Sequence, residues 1–215
     1  MPLATRSLSD AVQAALREWI VTEGAGTGDL VTEVGVAARF GVARPTARVA
    51  VERLLAEGLL VRDGRRGARV PVLTADDVRD LYASRSLLER EAHARLAGQR
   101  TIPAEASAAN TRLRTHARSG DPAGIAAADV EFHRRLVAAT GSRRLDRMHE
   151  ILMAEAHLCM GQVQHRHLLA GTVIADEHDG ILQAITAGEA NLAAERTTGH
   201  LFSARDKLLA ALDAS

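Results

Sequence analysis

Asp129 and His133 stand four residues apart in the run Asp129-Val-Glu-Phe-His133, and two further histidines, His178 and His200, follow in later segments. On an α-helix that spacing stacks two side chains on one face, so a carboxylate and an imidazole can converge on one cation. Imidazole nitrogen with carboxylate oxygen suits a divalent transition metal, zinc foremost, with nickel, manganese or iron as alternatives. Calcium instead takes all-oxygen cages. Taken alone, the four also read as ordinary surface or core histidines beside an acid, because the chain holds 9 histidines.

Other candidates carry less. His165-Arg-His167 has a hydrolase-like His-x-His spacing, but it ends a helical run, where residues i and i+2 diverge. His93, His116, His149 and His157 read as solvated or packed helix residues. No Gly-x-Ser-x-Gly elbow is present to place a serine nucleophile. Gly64-Arg-Arg-Gly67 lacks the Gly-Lys-Ser/Thr ending of a phosphate loop and is better read as the tip of a turn.

The elements that must position such a site are helical. Of the 215 residues 47% are hydrophobic and only 2% aromatic, a composition of close-packed helices rather than of a β-sandwich. The fold class expected is mainly α, in two domains spanning 1–73 and 74–215. No apolar run approaches the ~20 residues a membrane helix needs, and no charged-then-apolar leader pattern opens the chain. A cytoplasmic protein without membrane partners is expected. The single Cys159 cannot form an internal disulfide and reads as a small core residue in a reducing compartment.

Net charge is zero, but its distribution is uneven. From Arg39 to Arg69 eight arginines face three acids, Glu52, Glu57 and Asp63. A basic segment in a neutral chain is a candidate phosphate-contacting face, or else a solvated one. Leu8, Val12, Leu16, Trp19 and Ile20 predict a helix over 8–22, ended by Gly24-Ala-Gly-Thr-Gly28. A short helix over 30–39 follows, then a third from Arg44-Pro45 to Glu57, with Pro in the first turn. Two β-like runs flank Asp63-Gly64 and predict a hairpin. This order is a winged helix-turn-helix, whose third helix enters the major groove of duplex DNA. The candidate DNA contacts are Arg39, Arg44, Thr46 and Arg48, with Arg65, Arg66 and Gly67 in the wing.

The run from Phe40 to Leu60, with its Glu57-Gly-Leu stop and the later Gly67-Ala-Arg-Val70, resembles the DNA-binding domain of the GntR family. Ala43 stands where that family usually has a capping Ser or Thr, Val49 where a Glu is usual, and Thr27 where a Pro is usual.

After Pro71 the sequence predicts helices over 75–97, 103–118, 122–139, 143–168, 171–187 and 189–212, punctuated at Gly98, Pro103, Gly120-Asp-Pro122, Gly141 and Gly188. Six such helices make an antiparallel bundle able to enclose a pocket. Arg85-Ser-Leu-Leu-Glu89, Asp129-Val-Glu-Phe-His133, Gly141-Ser-Arg-Arg-Leu145, Glu177-His178 and His200 occur in the order of the FadR-like branch of the GntR family, whose helical ligand-binding domain is called FCD. The resemblance implies a metal held by Asp129, His133, His178 and His200, with positions open to water or a small carboxylate effector. It also implies that Arg85 faces this pocket and forks onto the effector's carboxylate. The alternative is an Arg85–Glu89 ion pair on the helix surface. By the same resemblance the chain is a homodimeric repressor, not an enzyme, on a near-palindromic operator. The competing readings are a metalloenzyme acting on a small carboxylate, and a regulator whose metal is structural.

Overall fold

The computed structural model describes residues 7–23, 28–64, 67–164 and 170–213. The helix stop expected at 24–27, with Thr27 in it, the wing-tip Arg65 and Arg66, and the His165/His167 pair lie outside the described residues. The chain divides into two compact units, Met1–Val72 and Leu73–Ser215.

In the first unit, α1 (Leu8–Glu18) opens with a reciprocal cap: Ser7 Oγ accepts from Asp10 N, and the Asp10 carboxylate accepts from Ser7 N. A π-type turn, Trp19–Glu23, continues it. Thr32 caps α2 (Glu33–Phe40) through Gly35 N, and Gly41 ends it at φ 63°, a left-handed conformation that glycine adopts without steric cost. α3 (Arg44–Ala56) starts with Pro45 in its first turn and no side-chain cap, because Ala43 has none to give. That omission costs on the order of 1 kcal/mol. Both α1 and α2 pack on α3, burying Leu16 and Leu54 completely, each worth roughly 2 kcal/mol.

The expected hairpin is part of a larger sheet. Strands β1 (Leu30–Val31), β2 (Val61–Arg62) and β3 (Ala68–Arg69) lie in the order β1-β3-β2, antiparallel throughout, with Val31 opposite Ala68 and Arg62 opposite Ala68. The helix predicted from residue 30 therefore begins at Glu33, and the two residues before Thr32 form a third strand. Val31 and Ala68 are both buried, so cross-strand packing, not periodicity, decides the state of this dipeptide.

The second unit is helical: α4 (Ala75–Gln99), α5 (Ala104–Ser119), α6 (Pro122–Ala139), α7 (Arg143–Gln164), α8 (Gly171–Ala187) and α9 (Ala190–Asp213). Thr74 and Asp77 form a second reciprocal cap at α4, and Asp121 caps α6 through Gly124 N. Contrary to expectation, Gly98 does not stop α4; the helix runs through it to Gln99, and Arg100 takes the left-handed position at φ 51°. α4 packs along α9, α6 lies between α5 and α7, and α8 touches α4, α5 and α9. One apolar cluster gathers Val78, Tyr82, Met153, Leu201 and Leu208; a second gathers Leu96, Phe132, Leu136, Ile181 and Ile185. No described helix is long and apolar enough to cross a membrane.

Candidate metal centre and candidate nucleic-acid interface

α6 presents Asp129 and His133 one turn apart, α8 presents His178, and α9 presents His200; all four are buried. One donor atom from each lies within 4.8 Å of every other. His133 Nε2 is 3.2 Å from His200 Nε2 and 3.8 Å from Asp129 Oδ1, and His178 Nε2 is 3.3 Å from the same oxygen. These separations bracket the ~3.4 Å edge of a tetrahedron with ~2.05 Å bonds, the size a zinc ion needs. Phe132 stacks on the His178 ring, centroids 3.7 Å apart and planes 7° from parallel, fixing its tilt.

The far nitrogen of each imidazole decides what the near one offers. His200 Nδ1 donates to Glu177 Oε2 at 2.7 Å. His133 Nδ1 lies 2.6 Å from Glu89 Oε2, off the straight hydrogen-bond line but held by the carboxylate's charge. His178 Nδ1 faces Asn110 Oδ1 at 3.2 Å. The Asn110 amide donates to Ala175 O and to Asp179 Oδ1, so its oxygen must accept from His178. Each Nδ1 therefore carries the proton, and each Nε2 turns a bare lone pair inward. Burial pushes the pKa of His178 down to about 3 and that of His133 below its usual value, so both rings are neutral near pH 7. Two lone pairs facing each other at 3.2 Å repel unless something positive lies between them. Three inward imidazoles and one carboxylate thus fit a divalent transition metal.

Arg85 forms the expected pair with Glu89, but not where it was expected. Its Nε donates to Glu89 Oε1 at 2.8 Å, the expected i, i+4 pair, but the two side chains are 1% and 0% exposed, so the pair is in the core rather than on the surface. Among the described residues, Arg85 Nη2 is buried without a hydrogen-bond partner, as is the Tyr82 hydroxyl. Both residues line a narrow cleft with Asp129, Glu177, His200 and Lys207, whose enclosed volume is ≈ 10 Å³, about the space of one water. Arg85 burial works against its charge, yet Glu89 beside it raises its pKa. Burial likewise opposes the Glu89 charge, and Arg85 and His133 hold its pKa well below the ordinary carboxylate range.

Sequence reasoning assigned no role to Glu177 or Asn110 and did not foresee that Glu89 touches a histidine. Glu89 carried a signal, its spacing from Arg85. Glu177 is adjacent to His178 in sequence yet serves His200, and Asn110 had no signal at all. Of the remaining histidines, His93 is buried with Nδ1 2.7 Å from Thr197 Oγ1, His149 is buried with Nε2 3.2 Å from Glu89 Oε1, and His116 pairs with Asp121 at 2.8 Å.

In the first unit, Arg44 and Arg48 project from the start of α3, each 69% exposed, and share Glu33 at 3.3 and 3.8 Å. Exposed Arg39 stacks on Trp19, 4.4 Å from the ring centroid. Thr46 is half-buried, with its N–H bonded to Ala43 O in the first turn. Gly67 has φ 129°, and a Cβ there would stand 3.1 Å from Val31 O, so this wing position needs glycine twice over. Arg53, Arg62 and Arg69 are tied to Asp10, Glu52 and Asp63 within the unit. Much of the local positive charge is thus paired within the unit; Arg62, 66% exposed, is held by Glu52, while exposed Arg44 and Arg48 share one carboxylate and exposed Arg39 lies on an aromatic ring.

Two family comparisons match this chain: the FCD domain over residues 80–203, and the bacterial regulatory proteins of the gntR family over residues 8–70. The Nta operon transcriptional regulator of Aminobacter aminovorans is 37% identical over 120 residues, 55% of this chain and 57% of that protein. The HTH-type transcriptional regulator YdhC of Bacillus subtilis (strain 168) is 40% identical over 63 residues, 29% of this chain and 28% of its own. The chain thus spans little more than half the length of such relatives at most. Among solved structures, a GntR transcriptional regulator from Rhodococcus sp. RHA1 superimposes with TM-score 0.84 at 25% identity, over 94% of this chain and 98% of that one. E. coli McbR/YncC shares the fold, with TM-score 0.81 at 18% identity over 95% and 98%.

Proposed function

Because the chain belongs to the GntR family of bacterial regulatory proteins and carries an FCD domain, we propose that it is a metabolite-responsive transcriptional regulator. Its winged helix binds a near-palindromic DNA operator as part of a homodimer. Its helical domain holds a divalent transition metal, zinc foremost, through Asp129, His133, His178 and His200. A small carboxylate effector reaches that site and alters operator affinity, with repression as the default sign. The observation that carries the metal reading is the inward convergence of three Nε2 lone pairs and Asp129 Oδ1, each ring fixed from behind. The buried, unpartnered Arg85 Nη2 supports the carboxylate, because a guanidinium nitrogen left dry in a core is stabilised by an anion.

When bound, the metal supplies a positive centre with positions open to a carboxylate oxygen. The chain's own residues do the rest: Glu89, Glu177 and Asn110 orient the imidazoles, Phe132 braces His178, and Arg85 waits beside the cleft. For the effector to matter it must bind one arrangement of the protein more tightly than another. On the DNA side, Arg44 and Arg48 exchange their shared, solvent-screened Glu33 for phosphate or base edges, and Arg39, Thr46, Gly67 and the wing-tip Arg65 and Arg66 complete the contact. The families and relatives it resembles are transcription regulators, which leaves the metalloenzyme alternative without support.

A second reading, a purely structural metal, is favoured by one observation: all four donors are buried and the adjoining cleft encloses only ≈ 10 Å³. Fluorescence-anisotropy titration of DNA from upstream of the gene separates the two, using zinc-loaded and chelator-stripped protein against small carboxylates. We expect one acid to change operator affinity only with metal present. DNA binding that no acid alters, with or without metal, would make the metal structural.

A further inference from the structure

Glu89 occupies a position that no single role explains. It is fully buried at the middle of α4, and its two oxygens face three partners. Oε1 accepts from Arg85 Nε at 2.8 Å and from His149 Nε2 at 3.2 Å; Oε2 lies 2.6 Å from Nδ1 of His133. One carboxylate therefore touches both a proposed metal-holding imidazole and the guanidinium whose Nη2 is left bare beside the cleft. The other two backing groups differ in this respect. Glu177 reaches His200, and Asn110 reaches His178, but among the described residues neither has a hydrogen bond or ion pair to an arginine at the cleft; Asn110 bonds to Ala175 O, Asp179 and His178.

Resting on the reading above, we propose that Glu89 is a positioning residue shared by the metal site and the carboxylate site, so that one side chain couples anion recognition to metal retention. A carboxylate bound at Arg85 pulls on a guanidinium that Glu89 also holds, and the strain or relief passes to His133 through the opposite oxygen. A bound cation fixes the His133 ring, which fixes Glu89, which aims Arg85 at the cleft before any anion arrives. The coupling is reciprocal, since whatever factor the metal lends to the anion the anion must return to the metal. A merely structural Glu89 would lower stability and metal affinity without a separate effect on the anion.

The test compares Glu89→Gln with Asn110→Leu, each losing the support behind one imidazole. Zinc affinity is measured by competition with a chelating indicator, and acid affinity by calorimetry at saturating zinc with acetate, lactate and citrate. Both variants should bind zinc about 10–100-fold more weakly, the usual effect of removing an outer-shell partner. Glu89→Gln should also lose at least about tenfold more acid affinity than Asn110→Leu at full zinc occupancy. If the Gln variant does not fold, Glu89→Asp, which keeps the charge but shortens its reach, should show the same split in milder form. Equal acid affinity in both variants, with zinc affinity reduced in both, overturns the coupling and leaves the regulator reading intact. If none of the three acids binds zinc-loaded wild type, the carboxylate reading fails and the coupling falls with it.

Discussion

The first unit contains none of the chain's 9 histidines, and the second contains all of them. The contrast extends to how each unit holds charge. In Met1–Val72 the ion pairs are at the surface, such as Arg44 and Arg48 on Glu33 or Arg53 on Asp10, where both members are at least a third exposed or nearly so. In Leu73–Ser215 the central charges, Arg85 and Glu89, are sealed in the core with His133 and His149. Surface pairs are worth little and exchange readily, which suits the proposed transfer of Arg44 and Arg48 from a carboxylate to a phosphate. Buried pairs are costly to break and hold their geometry, which suits donors proposed to meet one small cation. The same chemistry of arginine and acid is made labile in one place and rigid in the other by burial alone.

That contrast can be broken most directly by deleting one arginine from each side. Arg85→Ala strands the buried Glu89 and should cost about 3–5 kcal/mol in denaturant unfolding, whereas Arg53→Ala should cost under about 1 kcal/mol. Similar losses would erase the distinction. His178→Ala should remove most of the zinc retained after dialysis, read by elemental analysis; full stoichiometry would break the four-donor assignment.

Acid should separate the units next. Burial pushes His93 and His178 down to about 3, below the 6.5 of an unfolded histidine. The unfolded chain binds more protons between those limits, so in chelator-stripped protein this stability is present above pH 6.5 and is lost as pH falls toward 3. Asp10 of the first unit is lowered to about 2 by its bonds to Arg53 and Ser7, so its contribution persists until pH drops below about 3.8. Fluorescence of the lone Trp19 should therefore change at lower pH than the histidine ring resonances; coincident transitions would mean that the units unfold together. Smallest in energy, Arg48→Ala should weaken operator binding and flatten its salt dependence by about one phosphate's worth, roughly 0.9 in log–log slope. An unchanged slope in anisotropy titrations removes Arg48 from the contact.

How much of this was legible in the sequence follows from the same contrast. The helices of both units and the Asp129/His133 pair could be read from spacing, because a helix repeats itself along the chain, whereas His178 and His200 joined that pair only through the family resemblance. Leu30–Val31 could not, since two residues have no period and their strand exists only through Ala68 and Arg69 on another segment. The Arg85–Glu89 pair was legible, but its burial was not. α4 buries Val78, Leu81 and Tyr82 on the same stripe as Arg85, Glu89 and His93, so the polar residues on that stripe disguise an inward face as an outward one. Asn110 and Glu177 serve partners on other helices, and only the packing of α5, α8 and α9 brings them there.

The four inward donors are spread over α6, α8 and α9, and His200 belongs to the last of these helices. A growing chain that has made α6 owns one carboxylate and one imidazole, a weak and promiscuous pair. Only when α9 docks does the set close. A cation captured there, as proposed, would thus be a receipt for completed assembly. Tying three distant helices at one point, the proposed ion would stabilise the folded state by binding that state alone.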